Sequence, residues 1–279
     1  KGALDMSGVV GLPYAALPDF EGLADDMLAL LHARLPGYDV LPHLVDLLGL
    51  HVVLYMLRRA AEWAPGSAPV RLVLEIIAPR RTTVRDLAVE SFRVNDQLSA
   101  KALEGYLDVE IRQSQAWRDA CAEPDEDERH LAAARVLHDT VMWDKADGSA
   151  GEREPEEMLK TLTEQARKRH GQHVSGVHAN YAQAIGLASR RGTRKIRYAP
   201  SDQLLKSLVL AVVPRRMEFQ EFLKELWRRY ALVIGHHQAG EYIASGVSDQ
   251  RAFEENAQRL EMRLASLGLL RRLSDACAY

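Results

Sequence analysis

Between Leu41 and Trp63 apolar side chains run almost all the way round the helix that the segment would form: Leu44, Val45, Leu47, Leu48, Leu50, Val52, Val53, Leu54, Met56 and Leu57. A helix with no polar face has to be covered on several sides, so this stretch predicts a central helix around which the rest assembles. Its most apolar part, Leu44 to Leu57, is interrupted by Asp46 and His51 and falls short of the ~20 residues that a ~30 Å hydrocarbon core demands. The expectation is a buried core helix and no membrane contact.

The flanking segments are mostly helical too. After a cap at Asp19, Leu23, Met27, Leu30, Leu31 and Leu35 recur at helical spacing until Pro36-Gly37 stop the run. Val70 to Ile77 differs: it is rich in branched residues, lies between Pro69 and Pro79 and is too short for a typical helix, so it predicts a strand. Helical patterning resumes from Thr83 to Ala122 with a break near Asn95-Asp96, from the acidic run 123–128 to Trp143, from Pro155 to His170, and from His173 to Ser189 beyond Gly171. Residues 144–155, with Gly148, Ser149 and Gly151, predict a loop or linker. The fold class expected is mainly α: a helical N-terminal body with one or few short strands, followed by a smaller α+β unit.

Charge divides the chain where pattern does. The net charge of −3 over 279 residues hides a balance of −9 in residues 1–189 and +6 in 190–279. An acidic body, 1–189, is thus followed by a basic approach, 190–198, and a terminal module, 199–279. Ser189 to Arg197 holds Arg190, Arg191, Arg194, Lys195 and Arg197 with no acid between them, as a solvated linker or a phosphate-gripping segment would. Two cysteines, Cys121 and Cys277, provide no disulfide framework and fit a reducing compartment. The start at Lys1 shows no signal-peptide series, and 28 Arg against 8 Lys suggest a GC-rich bacterial source; the expectation is a cytoplasmic protein.

In the terminal module Pro200-Ser201-Asp202 caps a helix carrying Leu204, Leu205, Leu208 and Val212. A short extended piece, Arg216-Met217-Glu218, precedes a helix with Phe222, Leu226 and Trp227. Ser248 caps a third helix to Leu267, closed by Gly268, and Leu269 to Tyr279 predicts two short strands. This order over 199–279, with the Leu-Gly-Leu-Leu-Arg-Arg run from Leu267 to Arg272, resembles a winged-helix domain. The resemblance implies duplex-DNA binding or protein docking. Asp249, Glu254, Glu255 and Glu261 outnumber Arg251, Arg259 and Arg263 on the helix that would enter a groove, so Arg271, Arg272 and the approach segment are the expected nucleic-acid contacts, directed at the backbone rather than at bases.

Catalytic signals are sparse. Arg167 and His173 have an Arg-x5-His spacing that resembles the catalytic pair of HEPN ribonucleases, which implies phosphate stabilisation by Arg and proton transfer by His; Lys168 stands where a polar residue usually follows. His170, His173 and His178 cluster without a Cys or carboxylate at zinc spacing, and His130 and His138-Asp139 lack the further ligands of an HD-type site. Glu75 on the strand has no acid-x-Lys companion for Mg²⁺, so a salt bridge to Arg71 or Arg85 is expected. No phosphate-binding loop, Rossmann fingerprint or hydrolase elbow occurs. The favoured expectation is a non-enzymatic subunit of a bacterial multiprotein complex, such as an antiphage system, with no metal and no cofactor. Its helical body docks protein partners, and its terminal module contacts duplex DNA. The alternatives are the ribonuclease and a pure protein-docking scaffold.

Overall fold

The structure is a computed structural model and describes residues 18–144, 154–190 and 195–271. It is mainly α-helical with four very short strands among those residues. In chain order the elements are α1 (Pro18–His32), α2 (Val40–Trp63), β1 (Leu72–Val73), α3 (Thr83–Asp96), α4 (Leu98–Leu107), α5 (Gln115–Ala122), α6 (Glu126–Val141), α7 (Pro155–His173) and α8 (Val177–Ala184). They continue with β2 (Ala188–Ser189), β3 (Arg197–Tyr198), α9 (Asp202–Val212), α10 (Phe219–Tyr230), β4 (Leu232–Val233), α11 (Gly240–Ala244) and α12 (Gln250–Ser266). Several helices begin where a side-chain oxygen takes an orphan amide: Thr82 from Arg85, Ser114 from Trp117, Asp125 from Glu128, Ser201 from Leu204 and Asp249 from Ala252. The last cap is thus Asp249, one residue beyond the expected Ser248. Between α4 and α5, Asp108–Arg112 forms a π-helical turn.

Helix α2 packs against α1, α4, α8 and α9, as a central helix should. Its burial is one-sided, however. Leu47, Leu50, Val53, Leu54 and Leu57 are buried, while Leu41, Val45 and Leu48 are exposed. Its bounds match the expected Leu41–Trp63 to within one residue, and Gly37–Trp63 is long and apolar enough to cross a bilayer by length and composition alone. Phe20 of α1 stacks on Tyr55 of α2 with ring centroids 5.6 Å apart.

The strand expected at Val70–Ile77 is real but brief. β1 pairs in parallel with β4, Leu72 opposite Leu232 and Val73 opposite Val233. β2 and β3 form an antiparallel pair, Ala188 opposite Tyr198 and Ser189 opposite Arg197. A hydrogen bond of 3.0 Å from the Glu75 amide to the Tyr198 carbonyl joins the two pairs. Asn256 of α12, fully buried, bridges the segments that follow β1 and β4: its Nδ2 donates to the Leu74 and Ile234 carbonyls (2.9 and 3.0 Å) and its Oδ1 accepts from the Ile76 amide (2.9 Å).

This sheet carries the chain's two halves across one core. A single cluster contains Leu30, Leu47, Leu50, Leu54 and Leu74 together with Tyr198, Leu205, Leu208, Leu226, Tyr230 and Leu264. Val73 and Val84 also pack with Val233 and Phe253. Residues 199–264 therefore share their interior with the N-terminal body. A separate cluster built on Leu107, Ile111, Trp117, Leu137 and Leu159 holds α5, α6 and α7 together.

Other local expectations changed. α7 runs through Gly171 to His173, and α8 stops at Ala184, because Gly186 turns the chain at φ +71° into β2. Arg216–Glu218 is not a strand; the strand of this region is β4, after α10. Gly268 does sit at φ +73° past α12. Most of the expected wing, residues 272–279, and most of the linker, 145–153, lie outside the described residues.

Candidate functional site

The basic approach is the connection of the β2–β3 hairpin, not a free linker between domains. Gly186 fixes its base: a Cβ there would stand 2.2 Å from Ser201 Oγ, and the Ser201 amide bonds the Gly186 carbonyl at 2.8 Å. The Ala199 amide donates to the Leu187 carbonyl on the opposite arm (3.0 Å). Arg190 and Lys195 are exposed at the two ends of the connection. Arg191 and Arg194 lie outside the described residues. Lys195 stands near Glu90 of α3, whose carboxyl is held below its ordinary value mainly by the hydrogen bond from Arg93, with Lys195 a minor contributor.

Arg197 is a correction to the expected phosphate contacts. It is 2% exposed, and its guanidinium pairs with Glu75, itself 1% exposed. Glu75 thus has a salt bridge, as its lone carboxylate suggested, but to Arg197 rather than Arg71 or Arg85. Arg71 pairs instead with Glu241 and lies over the Trp227 ring, 5.7 Å from its centroid. A buried pair persists only while both partners stay, because removing one strands a charge in the interior. Its place here is to pin the hairpin to the strand beside it.

Tyr198 completes that base. Its hydroxyl meets His178 Nε2 at 2.9 Å and Asn95 Nδ2 at 3.0 Å, and His178 Nδ1 lies 3.0 Å from Asp96 Oδ1. Since the carboxylate only accepts, Nδ1 donates to it and Nε2 accepts the phenol proton. Burial pushes the Tyr198 phenol well above its ordinary value, so it stays a donor. Phe92 stacks on His178, ring centroids 4.7 Å apart. Asp96, His178, Tyr198 and Asn95 are thus linked in one hydrogen-bonded chain whose inner members are buried, and Asn95 also donates to the Arg71 carbonyl at 3.0 Å.

Farther along, Arg271 is exposed beyond α12, and Arg272 lies outside the described residues. The cations of α12 are engaged by carboxylates: Arg251 and Arg259 with Glu255, and Arg263 with Asp202 at 2.6 Å. That helix offers no unpaired guanidinium from these three to a groove.

The ribonuclease pair is placed on one helix, α7. Six residues there are about 120° apart around the axis, so Arg167 and His173 face different directions. Arg167 is bound to Glu104 at 2.9 Å, and His173 is exposed. His170 bonds Ser99 Oγ at 3.0 Å, and no His/Cys/Asp/Glu group with metal-binding geometry occurs among the described residues. His43, Ser207 and Asp46 meet in another cluster, with Ser207 Oγ 2.8 Å from both His43 Nδ1 and Asp46 Oδ2. The carboxylate touches the hydroxyl and not the imidazole, so it does not orient a base as in a nucleophilic triad.

A feature that sequence reasoning missed lies between α1, α2 and α10. Asp26 Oδ2 accepts from His51 Nε2 and from the Tyr230 hydroxyl, both at 2.7 Å, and Asp26 Oδ1 lies 3.3 Å from Arg229 Nη1. Burial, then Asp26, raises the Tyr230 phenol well above its ordinary value. These residues line a cavity of about 650 Å³ with Asp19, Arg58 and Glu62 on its walls. The available signal was His51 itself, a polar residue interrupting an otherwise apolar helix.

Residues 115–279 match the family model of methylation-associated defense system protein MAD7. Neither a curated protein nor a solved structure matches the chain.

Proposed function

The chain belongs to the family of methylation-associated defense system protein MAD7, and on that premise we propose that it is a non-enzymatic adaptor of a bacterial antiphage complex, acting in the cytoplasm. Its helical body docks partner proteins, and its basic segment 190–198 with the terminal module 199–279, winged-helix-like in element order, contacts the backbone of duplex DNA. The observation that carries the second part is the β2–β3 hairpin: its connection bears Arg190, Arg191, Arg194 and Lys195 on a base fixed by the buried Glu75–Arg197 pair. Cations gathered on one connection hold phosphates without reading bases, and the acid-paired α12 supports that backbone-directed mode.

The test is binding of the full-length chain to a duplex of arbitrary sequence across a salt series. Affinity is expected to fall as salt rises. Replacing Arg190, Arg191, Arg194 and Lys195 by Ala is expected to flatten that dependence by ~0.9 in log–log slope for each phosphate no longer neutralised. Unchanged affinity in the fourfold variant defeats the hairpin assignment and favours the pure scaffold. RNA cleavage that His173→Ala abolishes defeats the non-enzymatic reading.

A further inference from the structure

We propose that the cavity between α1, α2 and α10 is a receptor for one basic side chain, lysine or arginine, presented by a partner protein. This rests on the adaptor reading and names the chemistry of its partner.

The first support is the charge left over. The four arginines on the walls are already engaged: Arg58 by Asp19, Arg59 by Glu62, Arg228 and Arg229 by Glu225. Glu21 and Asp25, exposed at the mouth, have no counter-ion among the described residues. An incoming phosphate finds no spare guanidinium here, whereas an incoming cation finds two carboxylates.

The second support is the cavity floor. His51 is more than nine-tenths buried, its Nε2 is held by Asp26, and its Nδ1 has no partner among the described residues. Because Asp26 accepts, Nε2 carries the proton and Nδ1 presents a lone pair, which an N–H donor satisfies. Gly22, also on the cavity wall, packs against that ring without a side chain of its own: a Cβ there would stand 3.3 Å from His51 Cε1 and 3.9 Å from Nδ1, and Nδ1 itself is almost wholly shielded from water. A volume of about 650 Å³ admits an aliphatic stem with its charged head.

The third support is what surrounds the mouth. Residues 45, 48, 52, 55, 59 and 62 share one face of α2 by helical spacing, so its apolar stripe runs from exposed Val45 and Leu48 past Tyr55 to Arg59 and Glu62 at the cavity. Leu31 and Phe20 of α1 are exposed as well. A partner whose basic residue enters the cavity can therefore bury apolar surface beside it, with carboxylates at the rim complementary to its charge.

The experiment follows the His51 imidazole nitrogens of the full-length protein by NMR. The probes are Nα-acetyl-lysine methylamide, Nα-acetyl-arginine methylamide, Nα-acetyl-glutamate methylamide and spermidine. A saturable shift of His51 Nδ1 is expected with the lysine or arginine probe and not with the glutamate probe. Glu21→Gln/Asp25→Asn, at exposed positions, is expected to weaken it by roughly tenfold or more. The site is overturned if no cation shifts Nδ1, if the glutamate probe does so equally, or if the double variant binds as the parent does. Spermidine binding tenfold tighter than both capped side chains overturns the partner source in favour of a free polyamine. Partner proteins that co-purify equally with parent and double variant overturn this site and leave the adaptor reading standing; no co-purifying partner with either removes both.

Discussion

At the scale of single residues, buried charge decides more than exposed charge. Arg197 sits in a run of five cations, but its position opposite Ser189 turns it inward onto Glu75. Replacing it with Met strands a carboxylate in the core and is expected to cost ~3–5 kcal/mol by urea unfolding. Pairing that change with Glu75→Leu is expected to return most of the loss, because no buried charge then remains. Glu225 gives a pH signature. Hydrogen bonds from Arg228 first, and then Arg229, hold its carboxyl at about 2 against an ordinary 4.5. Its folded value is depressed, so its contribution is complete above pH 4.5 and is lost as pH falls toward 2. Thermal unfolding across that window is expected to show a shallower acid-side decline in Glu225→Gln.

Among elements, the β2–β3 hairpin and the Asn256 clamp set the geometry. Gly186 combines φ +71° with a Cβ position 2.2 Å from Ser201 Oγ, so Gly186→Ala is strained in backbone and space alike. The expected cost is ~1 kcal/mol or more, with a displaced hairpin and weaker duplex binding measured on the folded variant. Asn256→Ala leaves the Ile76 amide and two carbonyls buried without partners. An unmet buried group costs ~1–3 kcal/mol, so a loss at least that large is expected in denaturant unfolding. Helix patterns were legible in the sequence because a period of 3.6 is a local property; β2, β3 and β4 were not, since two-residue strands have no period to detect.

For the whole molecule, the charge boundary at residue 189 does not coincide with a boundary in the core. β1 and β4, some 160 residues apart, are neighbours, and Leu47 and Leu50 share a cluster with Leu226 and Leu264. A fragment of residues 199–279 is therefore expected to lack a cooperative thermal transition, which calorimetry on the isolated piece would show; a sharp two-state transition would contradict the shared core. The winged-helix resemblance lies in element order, which sequence conveys, whereas strand partnership is set by the fold. β4 pairs with residues of the N-terminal body.

The chain by itself determined that the protein is mainly helical, where most helices begin and end, that one central helix organises them, and that positive charge gathers in 190–197. Each of these follows from neighbours within about four residues. Only the tertiary structure decided which cations face water, that Glu75 meets Arg197, that Tyr198 joins a buried network, and that Asp26, His51 and Tyr230 converge on a cavity. Those pairings span 122 residues for Glu75 and Arg197 and 204 for Asp26 and Tyr230. No local pattern encodes contacts of that separation; they arise when the apolar faces of distant helices are buried against one another.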